Sequence, residues 1–227
     1  MCGRITLRRP YRVRLERLDT GALFDTLPRY NIAPTQKLWA VSEANEERSL
    51  SFMQWGLIPS WSKEPIGFIN ARAETLEAKP IFRDAFLRRR CLIPADGFYE
   101  WEKLGKAKQP HYFQMNNAAP FFFAGIWDEW QLNGTWITSC AIITTTPNKL
   151  LATIHDRITV IIPNEASDGW LRSNARPSEL RELLSPFPDS EMQGFPVSPE
   201  ANSSQVDHPG LVERLPPRED VRNGMLF

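Results

Sequence analysis

The feature that most limits the fold is a run of five short segments between residues 91 and 144. Cys91 to Pro94, Gly97 to Lys103, His111 to Met115, Phe121 to Trp130 and Thr135 to Thr144 are rich in aromatic and β-branched residues, with turn residues between them. Such segments fit a pleated, half-buried surface and read as successive β-strands, so the middle of the chain is β-dominated. Further strands are expected at Leu38 to Ser42, from Leu50, and at Ile158 to Ile162, with Glu43 to Arg48 as a hairpin connection. Helical spacing is confined to the flanks. Tyr11, Leu15 and Leu18 follow Pro10; Pro80 opens a helix with Ile81, Phe82, Ala85 and Phe86 inward and Arg83 and Arg88 to Arg90 outward; Pro147 to Ile154, Glu165 to Leu171 and Pro177 to Leu184 are short. Arg29 to Pro34 reads as irregular between prolines. No repeat or linker divides the 227 residues, so one domain over 1–205 is expected, with a polar, weakly ordered tail over 206–227.

Composition excludes more than it selects. Lys and Arg number 27 and Asp and Glu 27, so no strongly basic domain announces nucleic acid, and any such contact rests on local charge. No apolar run approaches a membrane span, and arginines from Arg4 onward replace a signal-peptide core. A cytoplasmic monomer is expected, associated with the nucleoid, or nuclear in a eukaryotic cell. Cys2, Cys91 and Cys140 are odd in number and far apart, which argues against a disulfide framework; no ligand spacing suggests a metal, and no cofactor is expected.

The chemistry is concentrated at Met1-Cys2-Gly3-Arg4. Trimming of Met1 would expose a 1,2-aminothiol, whose amine (ordinary pKa roughly 7.7–8.0) and thiol (roughly 8.5) are both partly nucleophilic near neutral pH. Such a terminus suits acyl transfer by the thiol, or capture of an aldehyde as an imine that the thiol closes to a thiazolidine. Other candidates have plainer alternatives. Glu100, between Tyr99 and Trp101, is either a desolvated acid–base group or a solvent-facing strand residue. His155, before Asp156 and Arg157, is either a proton shuttle or a capping or core histidine. Asn70 and Arg72 share a face in extended backbone, one suited to a hydroxyl and the other to a phosphate. Trp55 and Trp61 are either core corners or stacking platforms.

Taken together, Met-Cys-Gly-Arg, Tyr-Asn-Ile-Ala-Pro, Trp-Gly-Leu-Ile-Pro-Ser-Trp, Ile-Asn-Ala-Arg-Ala-Glu-Thr, Gly-Phe-Tyr-Glu-Trp and Ile-His-Asp-Arg resemble the SRAP (SOS response-associated peptidase) family over residues 2 to about 202. Ala201 stands where that family usually has valine. The resemblance implies a compact α+β domain with curved, barrel-like mixed or antiparallel sheets and short peripheral helices. It also implies action on abasic sites in single-stranded DNA, with a thiazolidine between Cys2 and the ring-opened deoxyribose, and Asn70, Glu100 and His155 in support. The family's name reflects an older proposal of autoproteolysis, which here would be removal of Met1. Arg4, Arg72 and Arg157, with Pro34, Trp55 and Trp61, are the expected single-stranded DNA surface; the replication machinery is a possible partner. A second class, N-terminal-nucleophile cysteine amidohydrolases, also begins Met-Cys-Gly but draws its oxyanion hole from an Asn-Gly pair. Here Asn133-Gly134 reads as a hairpin turn and Asn223-Gly224 lies in the expected tail.

Overall fold

A computed structural model describes residues 3–8, 27–44 and 47–216. Cys2, the helix expected over Tyr11 to Leu18 and residues 217–227 lie outside the described residues.

The five central segments do form strands, and most of them join a closed sheet. Strands β3 (Lys37–Ala44) and β4 (Glu47–Trp55) pair in register from Lys37 opposite Gln54 to Ala44 opposite Glu47. With β6 (Arg90–Ala95), β9 (Phe121–Leu132) and β10 (Thr135–Thr145) they run in the order β10-β4-β3-β6-β9, and β9 pairs back onto β10. The β10–β4 contact is parallel and the others antiparallel, so this is a mixed five-stranded barrel with no free edge along the ring. Asn133 (φ 51°) and Gly134 (φ 81°) make the β9–β10 turn, the two left-handed positions that a type I′ hairpin requires. A second, antiparallel sheet has the order β13 (Met192–Pro196), β8 (Ala107–Met115), β7 (Gly97–Leu104), β1 (Ile5–Leu7), β2 (Arg29–Ile32).

Period-two alternation divides the core. Leu92, Ala124, Ile126, Ala141 and Ile143 pack against Phe86 of α1 (Pro80–Arg88), Trp170 of α3 (Ser167–Leu171) and Leu180 of α4 (Pro177–Glu182). Their strand neighbours Cys91, Ile93, Phe123, Cys140 and Ile142 turn the other way, onto Ile5, Leu7, Phe98 and Phe113 of the second sheet. The result is one α+β domain.

Four expectations change. Arg90 is not on a solvated face: it is 2% exposed, and its guanidinium donates to the carbonyls of Phe86 (2.9 Å), Leu87 (2.7 Å), Trp170 (2.8 Å) and Arg172 (2.6 Å), tying α1 to α3. The segment from Ile158 to Ile162 is two strands, β11 (Ile158–Thr159) on β10 and β12 (Ile161–Ile162) on β9; Val160 changes partner between them, its N–H donating to Ile143 O and its carbonyl accepting from Ala124 N. Arg29 to Ile32 is strand β2, because β1 offers it a ladder that composition does not reveal. Residues 206–216 are packed and not a tail, since Leu211 is fully buried against Tyr99 and Tyr112, and Asp207 accepts from Arg29 Nε and Tyr30 N at 2.6 Å each.

Removing the guanidinium of Arg90 strands four carbonyls, of which those of Phe86 and Trp170 are buried acceptors whose loss of a partner costs about 1–3 kcal/mol each, while those of Leu87 and Arg172 are part-buried. Arg90→Leu should lose at least about 3 kcal/mol in equilibrium urea unfolding, whereas exposed Arg83→Ala should stay within about 0.5 kcal/mol. Equal unfolding midpoints for the two variants would refute this account of Arg90.

Candidate active site

The site begins where β1 meets β7. Ile5 lies opposite Phe98 and Thr6 opposite Gly97, and Tyr99 N donates to Arg4 O at 3.0 Å. Continuing that antiparallel register brings Gly3 level with Glu100. Glu100 is 1% exposed and, by alternation, shares the face of Phe98, which packs into the core between sheet and barrel. Burial pushes its carboxyl up to about 7, and the nearby Asp156 carboxylate pushes in the same direction.

Strand β10 delivers the remaining residues. Its C-terminal end takes β5 (Asn70–Arg72) in parallel on one flank, Ile142 opposite Asn70 and Thr144 opposite Arg72; on the other flank, Thr144 lies opposite Thr159 of β11. Residues 155–157 lead into β11. The short helix α2 (Lys149–Ala152) places them: Asn148 Oδ1 accepts from Leu151 N at 3.1 Å as its cap, and His155 N donates to Leu151 O at 2.9 Å. Arg157 then locks the flanks together. Its Nη1 and Nη2 donate to the two oxygens of Glu74 at 2.7 and 2.9 Å, and Nη2 donates to Thr144 O at 2.6 Å. That two-pronged contact holds the Glu74 carboxyl below the usual range. The segments carrying Asn70 and His155 are thus bridged by a pair 83 residues apart in sequence.

His155 is half-buried, and burial lowers its pKa, with cationic neighbours including Lys103 and Arg157 adding to that. It is therefore neutral near pH 7. Two groups meet its Nδ1: the Arg157 amide, which donates from 3.1 Å, and the Asp156 carboxylate at 2.8 Å. These contacts ask for opposite proton placements. The neutral ring with a free lone pair accepts from the amide; the imidazolium donates to the carboxylate, so the ring has a partner in either state.

The residues expected to meet DNA divide. Arg72 is exposed, and Trp61 is 65% exposed at the tip of a loop closed by the Leu57–Phe68 bridge. Gly67 is required there, because a Cβ would fall 2.8 Å from Gly56 O. Pro34 is half-buried and precedes Thr35, a β-branched residue held at φ 72° while its N–H donates to Trp55 O at 2.8 Å. Trp55 itself is fully buried in the core, its indole N–H donating to Ile69 O at 2.9 Å, so it presents no face to a base; the core-corner alternative is the right one. Arg4 and Arg157 are committed to the protein. Arg4 donates to Asn31 Oδ1 (2.8 Å), Ala201 O (2.9 Å) and Asn202 O (3.2 Å) and lies 5.8 Å from the centre of the Trp101 ring. Sequence reasoning missed Glu74, whose partner Arg157 is distant in the chain and carries no local signal. Among the described residues no group of three or more His, Cys, Asp or Glu is placed to hold a metal ion, and no helix is long and apolar enough to cross a membrane.

A mixed barrel braced by an antiparallel sheet, with a buried carboxyl beside the start of the chain, defines a class, and the sequence places the chain in it. Residues 1–204 match the family described as SOS response associated peptidase (SRAP), and the chain belongs to that family. Among its relatives, the abasic site processing protein YoqW of Bacillus subtilis (strain 168) is 39% identical over 222 residues, covering 94% of this chain and 99% of that one. The abasic site processing protein YedK of Escherichia coli (strain K12) is 32% identical over 206 residues, 87% and 92% of the two chains. A crystal structure of a protein from Bacteroides thetaiotaomicron shares the fold, with a TM-score of 0.84 at 24% identity over 94% of this chain and 100% of that one. A phage-related protein from Bordetella bronchiseptica gives 0.71 at 29% identity over 86% and 94%.

The raised Glu100 carboxyl has a stability signature. With its pKa at about 7 in the fold and 4.5 as its ordinary value, the folded state holds the extra proton between those pH values, so stability falls as pH rises through that window. Glu100→Gln has nothing to titrate. It should match wild type near pH 4 and exceed it at pH 8 by up to about 3 kcal/mol in urea unfolding, taking 1.36 kcal/mol per unit; no gain at pH 8 would mean that Glu100 ionises without penalty.

Proposed function

We propose that the protein captures abasic sites in single-stranded DNA by a covalent bond from Cys2. The observation that carries the reading is the buried Glu100 carboxyl, its pKa pushed up to about 7, beside the strand that leads to Cys2. Membership of the SRAP family and the names of the relatives supply the substrate.

An abasic deoxyribose is mostly a closed hemiacetal. Glu100, its pKa pushed up to about 7 so that part of the population keeps its proton near neutral pH, is suited to give a proton to the ring oxygen, and Asn70 to hold the sugar hydroxyl. The α-amine of Cys2 attacks C1′ of the aldehyde; loss of one water gives an imine. The Cys2 thiol then adds to the imine carbon while its proton passes to nitrogen, and the thiazolidine closes. The competing fate, removal of the C2′ proton and loss of the 3′ phosphate, is avoided by that closure. His155, neutral and with a partner for either protonation state, moves protons during formation and reversal. Arg72 and Trp61 are the exposed cation and aromatic for backbone and base. The amidohydrolase alternative has less support, because Asn133-Gly134 is the β9–β10 turn.

Protein lacking Met1, incubated with an abasic oligonucleotide, should gain the oligonucleotide mass less one water in a heat-stable adduct. Cys2→Ala should yield no such adduct and should cleave the strand through an imine that borohydride traps. A heat-stable adduct formed by Cys2→Ala in equal yield would exclude the thiazolidine. Glu100→Gln should slow adduct formation by roughly 10²–10⁴-fold, the loss typical of a general acid or base; an unchanged rate removes Glu100 from the mechanism. Arg72→Ala should weaken single-stranded DNA binding and flatten its salt dependence, whereas identical salt slopes assign that arginine no phosphate.

A further inference from the structure

Strand β1 has three residues, and its pairing with β2 shifts register between Ile5 and Leu7. So short a strand with an irregular ladder has few backbone bonds to fix its register, and a slip of one residue would turn Ile5 and Leu7 out of the core. Side chains supply the missing constraint. Asp96, 1% exposed in the link between β6 and β7, takes hold of β1 through both carboxylate oxygens. Oδ1 accepts from Thr6 Oγ1 at 2.6 Å and from Arg8 Nε at 3.1 Å, and Oδ2 accepts from the Arg8 backbone N–H at 2.8 Å. Asp96 N donates in return to Thr6 O at 3.0 Å. The Tyr112 hydroxyl, 2.9 Å from Thr6 Oγ1, packs over Gly97, where a Cβ would stand 1.9 Å from that oxygen. Arg8 lies 5.4 Å from the centre of the Tyr112 ring and reaches Gln114 Oε1 at 3.2 Å.

Thr6 and Arg8 lie two apart and so share one face of the extended chain, and one buried carboxylate holds both. A slip in either direction would break its three contacts together. The same register sets Gly3 level with Glu100, and Cys2 is bonded to Gly3. We infer that Asp96 is a positioning residue for the N-terminal cysteine, holding β1 in the register that presents the start of the chain to Glu100. The inference rests on the proposed covalent reaction for its consequence, though not for its geometry.

The test uses Asp96→Asn, Thr6→Val and Thr6→Ser, each checked by thermal melting and assayed well below its unfolding midpoint. With an abasic oligonucleotide, the adduct-forming rate at saturating DNA should fall about 10- to 100-fold in Asp96→Asn and Thr6→Val, since a displacement of about 1 Å can cost 10²-fold. The half-saturating DNA concentration should not move, and Thr6→Ser, which keeps the hydroxyl, should keep the rate. Hydrogen exchange reads the register without chemistry. The Tyr99 amide, bonded to Arg4 O, should exchange at least tenfold faster in Asp96→Asn, while the Ile142 amide, bonded to Ile69 O, should not. Unchanged Tyr99 exchange, an unchanged saturating rate, or equal losses in Thr6→Ser and Thr6→Val would each overturn the inference. Faster Tyr99 exchange in a protein whose wild type forms no adduct would leave the register device standing and sink the covalent reading.

Discussion

Strand β10 carries the architecture because its backbone pairs with four other strands. Along most of its length β9 lies on one side, and β4 runs parallel on the other for a short stretch. Toward its end β4 and β9 diverge, and β5 and β11 take the vacated ladder positions at Ile142 to Thr145. The first exchange closes the barrel; the second makes the site, because β5 starts at Asn70 and β11 follows residues 155–157 directly. Gly56 stands at the crossing, its N–H donating to Cys140 O at 2.8 Å and its φ of 137° turning the chain out of β4 into the loop that ends at Asn70. Side chains attached to a barrel strand inherit its rigidity, which a candidate site built on loops alone would lack.

The second sheet supplies burial. Glu100 would be an ordinary exposed strand carboxylate if β7 stood at an edge with water on both faces. It does not, because Phe98, two residues earlier on the same face, is packed against Phe113 and Phe123. The core that stabilises the sheet also desolvates the acid. A carboxyl held near pH 7 by burial is less stable in the fold once ionised, so the site trades stability for acid strength in the useful range.

Much of this was legible in the sequence, and the losses have a common cause. The strands from Cys91 to Thr144 could be read because aromatic and β-branched residues alternate there over lengths that local rules resolve. Strand β2, Arg90 and Leu211 could not, since each owes its state to a partner far away in the chain: β1 for the first, the carbonyls of α1 and α3 for the second, Tyr99 and Tyr112 for the third. Trp55 failed differently. A tryptophan between a strand and a Gly/Pro segment fits both a core corner and a stacking surface, and only the parity of β4, with Met53 and Trp55 facing the same core, decides. Asn70, Glu100 and His155 were singled out by family motif, while the joining of the segments that carry Asn70 and His155 depends on the Glu74–Arg157 bridge, which no motif spells out.

Burial acts on Glu100 and His155 in opposite directions on the pH scale. It raises Glu100 to about 7 and lowers His155, so near neutral pH a large share of Glu100 still holds a proton while His155 keeps a lone pair, the forms that the proposed acid and proton carrier need. In the proposed reaction an α-amine, with an ordinary pKa of roughly 7.7–8.0, would be disfavoured as a cation by desolvation and so would be the better nucleophile in buried surroundings. Fully solvated groups of the same kinds would present carboxylate and ammonium, the wrong forms for the proposed opening of a hemiacetal and attack on an aldehyde. The chain's net charge of zero fits this economy, since Arg4 and Arg157 are bound to protein acceptors and leave the reacting groups to be tuned by exclusion of water more than by surrounding charge.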